Sequence, residues 1–316
     1  MASSPQTIAR RASLAVISIS TLLGGSAVAI ENQKSIYLFG VRASMAGMGL
    51  PPGFYGSSFT YFYSGRTSGS PRVSADVVLD VVSMLWVAPE KLMGGSFGVG
   101  LYVPFGRQKV SVQTMSALPP MGWQTLASSS AIAVGDPLPL AFIGWQSGNF
   151  HWKLSGMINV PIGGYSRNSI ANIGFNRSAA ILTGSMTWFD PASGLEVSIS
   201  PGVTFNGENS ATNYRSGTEL HIEGAVMRHF SPSFSFGLAG YYYRQISGDS
   251  GAGAVWGPFK GEVSALGPNV SYNFKVGKTP VYASARWLRE FNASNRLKGN
   301  VGFLTLSIPL AGLSSL

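Results

Sequence analysis

The feature that most limits what this chain can become is an alternation of apolar side chains with polar or small ones, period two, recurring along almost its whole length. In Leu195–Asn206, the side chains of Leu195, Val197, Ile199, Pro201, Val203 and Phe205 share one face; Glu196, Ser198, Ser200, Gly202, Thr204 and Asn206 share the other. Phe97, Val99, Leu101, Val103 and Phe105 alternate with Ser96, Gly98, Gly100, Tyr102 and Pro104. Trp152, Leu154, Ile158 and Val160 oppose His151, Lys153, Ser155 and Asn159, and Leu220, Ile222 and Val226 oppose Glu219, His221 and Glu223. Successive side chains of a strand point to opposite faces, so each segment carries one apolar and one polar wall.

Twelve segments read this way: 54–64, 75–87, 96–107, 138–147, 149–161, 178–189, 194–206, 217–230, 233–246, 259–275, 279–291 and 299–310. A soluble sandwich would alternate too, so the connections decide between the two. Those at 65–74, 108–137, 162–177, 207–216, 247–258 and 292–298 are long, polar and rich in Gly, Ser and Asn. Those at 148, 190–193, 231–232 and 276–278 are tight, and 88–95 is of middling length. Long loops at one end and short turns at the other, on an even number of strands, is the pattern of an outer-membrane barrel with both termini in the periplasm. The expected fold is therefore all-β, an antiparallel transmembrane up-and-down β-barrel of about 12 strands located in the bacterial outer membrane.

Composition supports a lipid-covered surface. Charged residues make up only 11 % of the chain, where a soluble domain carries about a quarter. No segment beyond the N-terminus is apolar for the roughly 20 residues that a membrane helix needs. Trp86, Trp145, Trp188 and Trp287 fall near strand ends, where amphipathic rings favour the headgroup level, although core packing would place them there too.

Residues 1–29 read as an export signal: Arg10 and Arg11, a short apolar stretch with Leu14, Val16, Ile17, Leu22 and Leu23, then Ala27-Val28-Ala29 as a small-x-small cleavage site. Removing it takes two of the 22 basic residues and leaves a net charge of +7 against 13 acidic residues. The basic residues are scattered, with no cluster interleaved with aromatics, so nucleic acid is not an expected partner. The expected surroundings are outer-membrane lipid and lipopolysaccharide. The chain contains no cysteine, which excludes disulfides and a lipid-modified cysteine.

If the apolar walls face lipid, the other walls enclose a lumen, and a charge facing hydrocarbon costs about 2–4 kcal/mol at the midplane. Parity then places Asp76, Asp80, His151, Lys153, Glu196, Glu219, His221, Glu223, Glu262 and Arg286 inside. They would serve either as interior ion pairs that stiffen the barrel or as the lining of a solute path. Two strands carry irregularities. Pro201 lies mid-strand and cannot donate to a ladder, which predicts a bulge or kink. In 259–275 the polar parity changes at Gly267-Pro268, which predicts a register shift there. Residues 30–53 precede the barrel domain at 54–316. They include Ile36, Tyr37, Leu38 and Phe39, too apolar for a free tail and too irregular for a strand. This segment is expected to fold into the periplasmic mouth or lumen as a partial plug, or to lie as an ordered strap on the periplasmic side.

Catalysis is not called for. His221, flanked on its face by Glu219 and Glu223, could orient an imidazole near a serine, but no nucleophile motif accompanies it, and His229 is expected at a periplasmic turn. No phosphate-binding loop, metal-spaced histidine cluster or dinucleotide fingerprint occurs, so no cofactor or metal is expected.

Several short motifs, taken in order, carry a resemblance. They are Pro51-Pro52-Gly53-Phe54-Tyr55, Asn172-Ile173-Gly174-Phe175-Asn176-Arg177 and Phe205-Asn206-Gly207-Glu208-Asn209. They continue with Thr212-Asn213-Tyr214-Arg215-Ser216-Gly217, Gly248-Asp249-Ser250-Gly251, Lys260-Gly261 and Ala265-Leu266-Gly267-Pro268. From about residue 45 onward the chain resembles the outer-membrane family named for the phenol meta-degradation pathway. The resemblance implies a β-barrel that passively takes up aromatic or other hydrophobic compounds. Most of the motifs fall in the long loops, where Gly and Asn permit tight turns and where function often resides. Asn176, Arg177, Glu208, Asn209, Asp249 and Lys260 would either pair across the loop bases to hold a lid or form the solute entrance. The residues and the resemblance together leave three functions: a channel for small hydrophobic or aromatic compounds, whose solute class the resemblance implies, a sealed structural or surface-binding barrel, and, least favoured, a lipid-modifying hydrolase. The solute, the pore radius and the oligomeric state are not fixed by the sequence.

Overall fold

The computed structural model describes residues 34–116, 121–255 and 257–312, which form strands, turns and loops with no helix among them. The export signal expected at 1–29 lies outside these residues. The strands are β1 (Gly53–Arg66), β2 (Arg72–Leu92), β3 (Gly95–Ser116), β4 (Gly122–Val134), β5 (Leu138–Ser147), β6 (Phe150–Asn159), β7 (Ala179–Asp190) and β8 (Leu195–Asn206). A small hairpin of β9 (Glu208–Asn209) and β10 (Tyr214–Arg215) follows, and then β11 (Glu219–His229), β12 (Phe234–Gln245), β13 (Glu262–Val276), β14 (Thr279–Ser294) and β15 (Lys298–Gly312). All neighbours pair antiparallel, and β1 pairs with both β2 and β15, Gly53 opposite Gly312, so the sheet closes on itself as a barrel of 12 strands with β4 as an addition. Closure leaves no edge to satisfy, the condition for crossing a bilayer with strands.

The turns at one end are tight. Met93 and Gly94, with φ of 50° and 75°, link β2 to β3 in two residues; Gly148-Asn149 and Gly277-Lys278 do the same for the pairs β5–β6 and β13–β14. The connection read from sequence as a middling 88–95 is therefore mostly strand, because β2 runs on to Leu92. At the other end, residues 160–178, 207–218 and 246–261 form the long loops.

The outward surface is apolar around the circumference. Leu182 is 57 % exposed and Val226 53 %, while their lumen-facing neighbours Glu196 and Glu219 are fully buried. Ile158, Ile199, Leu238, Leu304 and Leu306 continue the exposed band. Soluble monomers rarely expose contiguous apolar patches beyond a few hundred Å², so the band is a lipid-facing belt. Trp86, Trp145, Trp152 and Trp188 lie on outward faces toward the short-turn end.

Four sequence expectations are corrected. The expected loop 108–137 is largely strand: β3 extends to Ser116 and β4 returns along it from Gly122 to Val134, Phe105 opposite Val134. The small residues of Ala127–Ala133 alternate too weakly in hydropathy to be read as a strand. Strand β8 passes Pro201 with one unbroken register against β11, Glu219 opposite Thr204 and Arg228 opposite Leu195, so no bulge forms there. Strand β13 pairs with β12 without a shift through Gly267-Pro268, and its irregularity against β14 lies between Glu262 and Ser264. The interior side of β13 is instead apolar at Val263 and Ala265 and polar at Asn269 and Ser271, one face throughout. Finally, Asp76, Asp80 and Glu262 face outward. On β2 the buried residues are Ala75, Val81, Ser83 and Val87, and the exposed ones include Val78, Val82 and Met84, which puts Asp76 and Asp80 outside. Asp80 accepts a hydrogen bond from Thr60 at 2.5 Å and Asp76 from Ser64 at 2.7 Å, while Glu262 accepts from the Tyr242 hydroxyl at 3.1 Å and lies 3.9 Å from Arg244. Both faces of these strands are apolar over much of their length, so a charge did not mark which face was inside.

Between β4 and β5 the chain breaks at Gly135-Asp136-Pro137, and β6 ends at Asn159, so the wall on this side lacks strand pairing above Asn159. The loop 160–178 fills the gap. Gly164 donates to the Val134 carbonyl at 2.8 Å and Val160 to that of Pro137 at 3.1 Å. The buried Asp136 carboxylate accepts from the Gly163 amide at 2.7 Å, the Phe175 amide at 2.8 Å and the Asn159 side chain at 2.9 Å.

Candidate functional site: the lumen

Inside the barrel the two halves of the wall differ chemically. Strands β7, β8 and β11 present Thr183, Ser185, Thr187, Glu196, Ser198, Ser200, Glu219, His221 and Glu223, all buried. The rest of the wall presents rings: Phe59, Tyr61 and Tyr63 from β1, Tyr102 from β3, Tyr241 and Tyr243 from β12, which adjoins β11, and Phe303 from β15. Alternation makes both walls, since any residue short enough or aromatic enough to share a lumen can occupy an inward position.

The chain before β1 lies against the polar wall and runs from the loop end to the turn end. At the top, Arg177 donates to the Lys34 carbonyl at 3.2 Å, and the Lys34 ammonium donates to the carbonyl of Asn172. The Ser35 hydroxyl donates to Glu219 at 2.5 Å. Glu223 accepts from the amides of Gly40 and Arg42, each at 2.6 Å. Glu196 accepts from the Ser44 hydroxyl at 2.8 Å and the Met45 amide at 2.6 Å. At the bottom, Gly47 donates to the Thr187 hydroxyl at 2.9 Å, and Lys153 reaches the Met48 carbonyl at 3.3 Å. Arg286, from the other wall, donates to the carbonyls of Gly40 and Val41. Three carboxylates, two of them four residues apart on one strand, thus engage a segment that has no strand partners of its own. A buried backbone amide must find an acceptor, and charge-assisted acceptors are the strong ones.

Two glycines permit the close approach. A Cβ at Gly47 would stand 2.6 Å from the His151 carbonyl oxygen and the Thr187 nitrogen. Gly40 has a φ of +90°, and its Cβ would meet Leu288 at 2.8 Å. Next to Gly40, Tyr37 stacks on His221 with ring centroids 3.9 Å apart, and Phe39 packs on Tyr243 at 4.6 Å.

Between this segment and the wall formed by β1 to β3, β5 and β6 lies a cavity of about 320 Å³. An engineered apolar cavity of roughly 150 Å³ holds benzene. The lining is mostly aromatic and aliphatic, with Tyr61, Tyr102, Val77, Leu79, Met157 and Phe175 prominent. Arg42, Lys153, Arg296, Gln108, Asp136 and Glu290 are its principal polar groups. Glu290 is saturated: it accepts from the hydroxyls of Tyr241 at 2.6 Å and Tyr63 at 3.1 Å and from the Gly299 amide at 2.7 Å.

Of the residues placed inside by sequence, His151, Lys153, Glu196, Glu219, His221, Glu223 and Arg286 line the lumen, and the last five converge on the segment around residues 35–45. Neither ring nitrogen of His221 has a hydrogen-bond partner among the described residues, and the carboxylates beside it are engaged by the segment, so the geometry offers no acid–base pair at His221. His229, at the end of β11, bonds Glu196 at 2.8 Å.

Among the loop residues, the Asn176 amide donates to Asn209 at 2.7 Å, and Asn209 donates to the Tyr165 hydroxyl at 3.0 Å, which joins two long loops. Arg177 is buried, donates to Asn206 at 3.3 Å and lies over the Phe175 ring. Asp249 accepts from the Tyr214 hydroxyl at 2.6 Å, the Gly217 amide at 2.9 Å and Gln245 at 2.6 Å. Glu208 and Lys260 are exposed; Glu208 pairs through its backbone with Arg215 in the β9–β10 hairpin, and the Lys260 carbonyl accepts from Asn295 at 3.1 Å. Sequence reasoning missed Asp136, Glu290 and Arg296. Asp136 had a signal in its Gly-Asp-Pro setting, a turn signature, whereas Glu290 and Arg296 sit in segments whose polarity suited a loop end. Among the described residues, no group of three or more His, Asp or Glu is placed to hold a metal ion.

A closed antiparallel barrel with an apolar belt outside and a lined lumen defines a bacterial outer-membrane β-barrel protein. Residues 53–306 match the model of the family described as "Putative MetA-pathway of phenol degradation", and the chain belongs to that family. Among solved structures it is similar to the COG4313 outer membrane channel from Pseudomonas putida F1, with a TM-score of 0.68 and 14 % identity over 84 % of this chain and 98 % of that one. The translocator domain of the autotransporter NalP from Neisseria meningitidis matches at a TM-score of 0.45 and 12 % identity, over 84 % of this chain and 91 % of that one. No curated protein sequence matches the chain.

Proposed function

We propose that this protein is an outer-membrane channel for the passive uptake of small hydrophobic or aromatic compounds, with residues 34–52 acting as a plug that narrows the lumen. The observation that carries the reading is the cavity of about 320 Å³, walled by aromatic rings inside a closed barrel. A structural barrel has no use for an internal chamber of that chemistry, since close packing would stabilise it more. Family membership and the fold of a solved outer-membrane channel support the same reading. The interior carboxylates then hold the plug in place rather than transform a solute, and the protein acts without catalysis or cofactor.

A sealed structural or surface-binding barrel is the second reading, and it is favoured by the plug itself, which occupies the lumen from Lys34 to Met48. Uptake separates the two. Deletion of the gene is expected to slow growth on a limiting aromatic substrate, and proteoliposomes are expected to take up that substrate faster than protein-free vesicles. Unchanged uptake in both assays overturns the channel reading in favour of the sealed barrel.

A further inference from the structure

Among the described residues, Lys153 and Arg42 face the cavity with no carboxylate within ion-pair distance, and Arg296 likewise has none. The Nη1 of Arg296 is buried without a hydrogen-bond partner, its guanidinium lying over the rings of Tyr243 at 4.4 Å and Phe39 at 5.0 Å. The acidic groups that line the same cavity make no direct ion pair with these cations. Both oxygens of Asp136 are taken by the Gly163 and Phe175 amides and by Asn159, and both oxygens of Glu290 by Tyr63, Tyr241 and the Gly299 amide. Glu219 and Glu223 lie behind the plug, with their oxygens on Ser35, Asn206, Gly40 and Arg42. Neutral donors thus take the oxygens of these carboxylates, and the side chains of Arg42, Lys153 and Arg296 face the chamber without a direct ion pair. Cationic donors without a direct anionic partner are costly to keep in such surroundings, and an anion that enters the chamber supplies that partner.

The three cations also differ in height. Arg296 lies in the loop-end connection between β14 and β15, Arg42 sits in the plug beside Glu223, and Lys153 lies near the turn end of β6, bonded to Met48. They thus mark the cavity from its loop end to its turn end, between rings that suit a flat apolar body.

Building on the channel reading above, we infer that the cavity selects small aromatic anions, a ring bearing a carboxylate, with Arg42, Lys153 and Arg296 receiving the carboxylate and the tyrosine and phenylalanine walls receiving the ring. Guanidinium groups bind carboxylates through paired N–H donors, and a neutral ring of the same size leaves those donors unmet.

The test is calorimetric titration of the detergent-solubilised protein with benzoate, benzyl alcohol and benzylammonium as probes. Charge-assisted hydrogen bonds contribute about 1.5–3 kcal/mol, so benzoate is expected to bind about ten- to a hundredfold more tightly than benzyl alcohol, and benzylammonium more weakly than either. The double variant Arg42→Gln/Lys153→Gln is expected to reduce the preference for benzoate severalfold without changing the affinity for benzyl alcohol, and Lys153→Arg to retain the preference. Heat-modifiable migration on gels confirms that each variant is a folded barrel. Benzoate binding no better than benzyl alcohol in the unaltered protein, or a preference undiminished in the double variant, overturns the inference. Neither result touches the channel reading, which stands or falls on the uptake of neutral aromatics in proteoliposomes.

Discussion

Glu223 holds two backbone amides of the plug, Gly40 and Arg42, with one oxygen each at 2.6 Å. Replacement by Gln keeps the shape but removes the charge and turns an –NH₂ toward one of those amides, donor against donor. A hydrogen bond to a charged group contributes about 1.5–3 kcal/mol, and a buried donor left unmet costs about 1–3 kcal/mol. Glu223→Gln is therefore expected to raise amide hydrogen exchange across residues 36–46 while the barrel strands keep their protection. Unchanged exchange at Gly40 and Arg42 would mean that the carboxylate is not what holds the plug. Single residues also mark where the sequence stops being legible. Glu196, Glu219 and Glu223 alternate with long apolar side chains, so their inward placement could be read directly. Asp76 and Asp80 alternate with Val77, Leu79 and Val81, residues no less apolar than the Val78 and Val82 that share their own face. The interior at that point is a hydrophobic chamber, so polarity carried no information about direction, and the lipid-side carboxylates are satisfied by Ser64 and Thr60 instead.

At the scale of elements, strand positions were readable because each buries or exposes one face in strict alternation, and all 12 barrel strands coincide with an expected segment to within a few residues at most ends. The exceptions are local. Strand β4 was hidden by the Ala and Ser content of its sequence, and the break at Gly135-Asp136-Pro137 could be recognised as a turn but not as a gap in a wall. What seals that gap is long-range: Asp136 gathers groups from residues 159, 163 and 175, a contact with no period to betray it. Asp136→Ala leaves two backbone amides and one side-chain amide without their acceptor, at about 1–3 kcal/mol for each that water does not reach. The loop 160–178 is then expected to become a site of proteolytic nicking, with the barrel itself intact. A loop as resistant as before would show that Asn172 and the backbone contacts to Val134 and Pro137 suffice to hold it.

For the whole molecule, the plug and the barrel are chemically complementary in a way that neither is alone. The bare barrel has a lumen whose polar wall carries Glu196, Glu219 and Glu223, and water filling it would meet three carboxylates. The plug caps those oxygens with its own amides and hydroxyls, screens them from the cavity and adds Arg42 on its far side, so the space that remains is mostly apolar, with more basic than acidic side chains in its lining. Removing residues 34–50 should therefore reverse the electrostatic character of the lumen as well as widen it. The strands satisfy their backbone groups among themselves, so the shortened protein is expected to insert and to migrate as a folded, heat-modifiable barrel. In planar bilayers it is expected to show a conductance several times that of the full chain. Reversal potentials across a salt gradient are expected to show cation preference, as acidic side chains exposed along a pore impose. A conductance equal to that of the full chain would place the seal in the interlocked loops, where Asn176 meets Asn209 and Asp249 meets Tyr214, and not in the plug. An enlarged conductance that still preferred anions would show that the basic residues of the wall, Lys153 and Arg286, outweigh the three freed carboxylates, and plug and barrel would then not be complementary in charge.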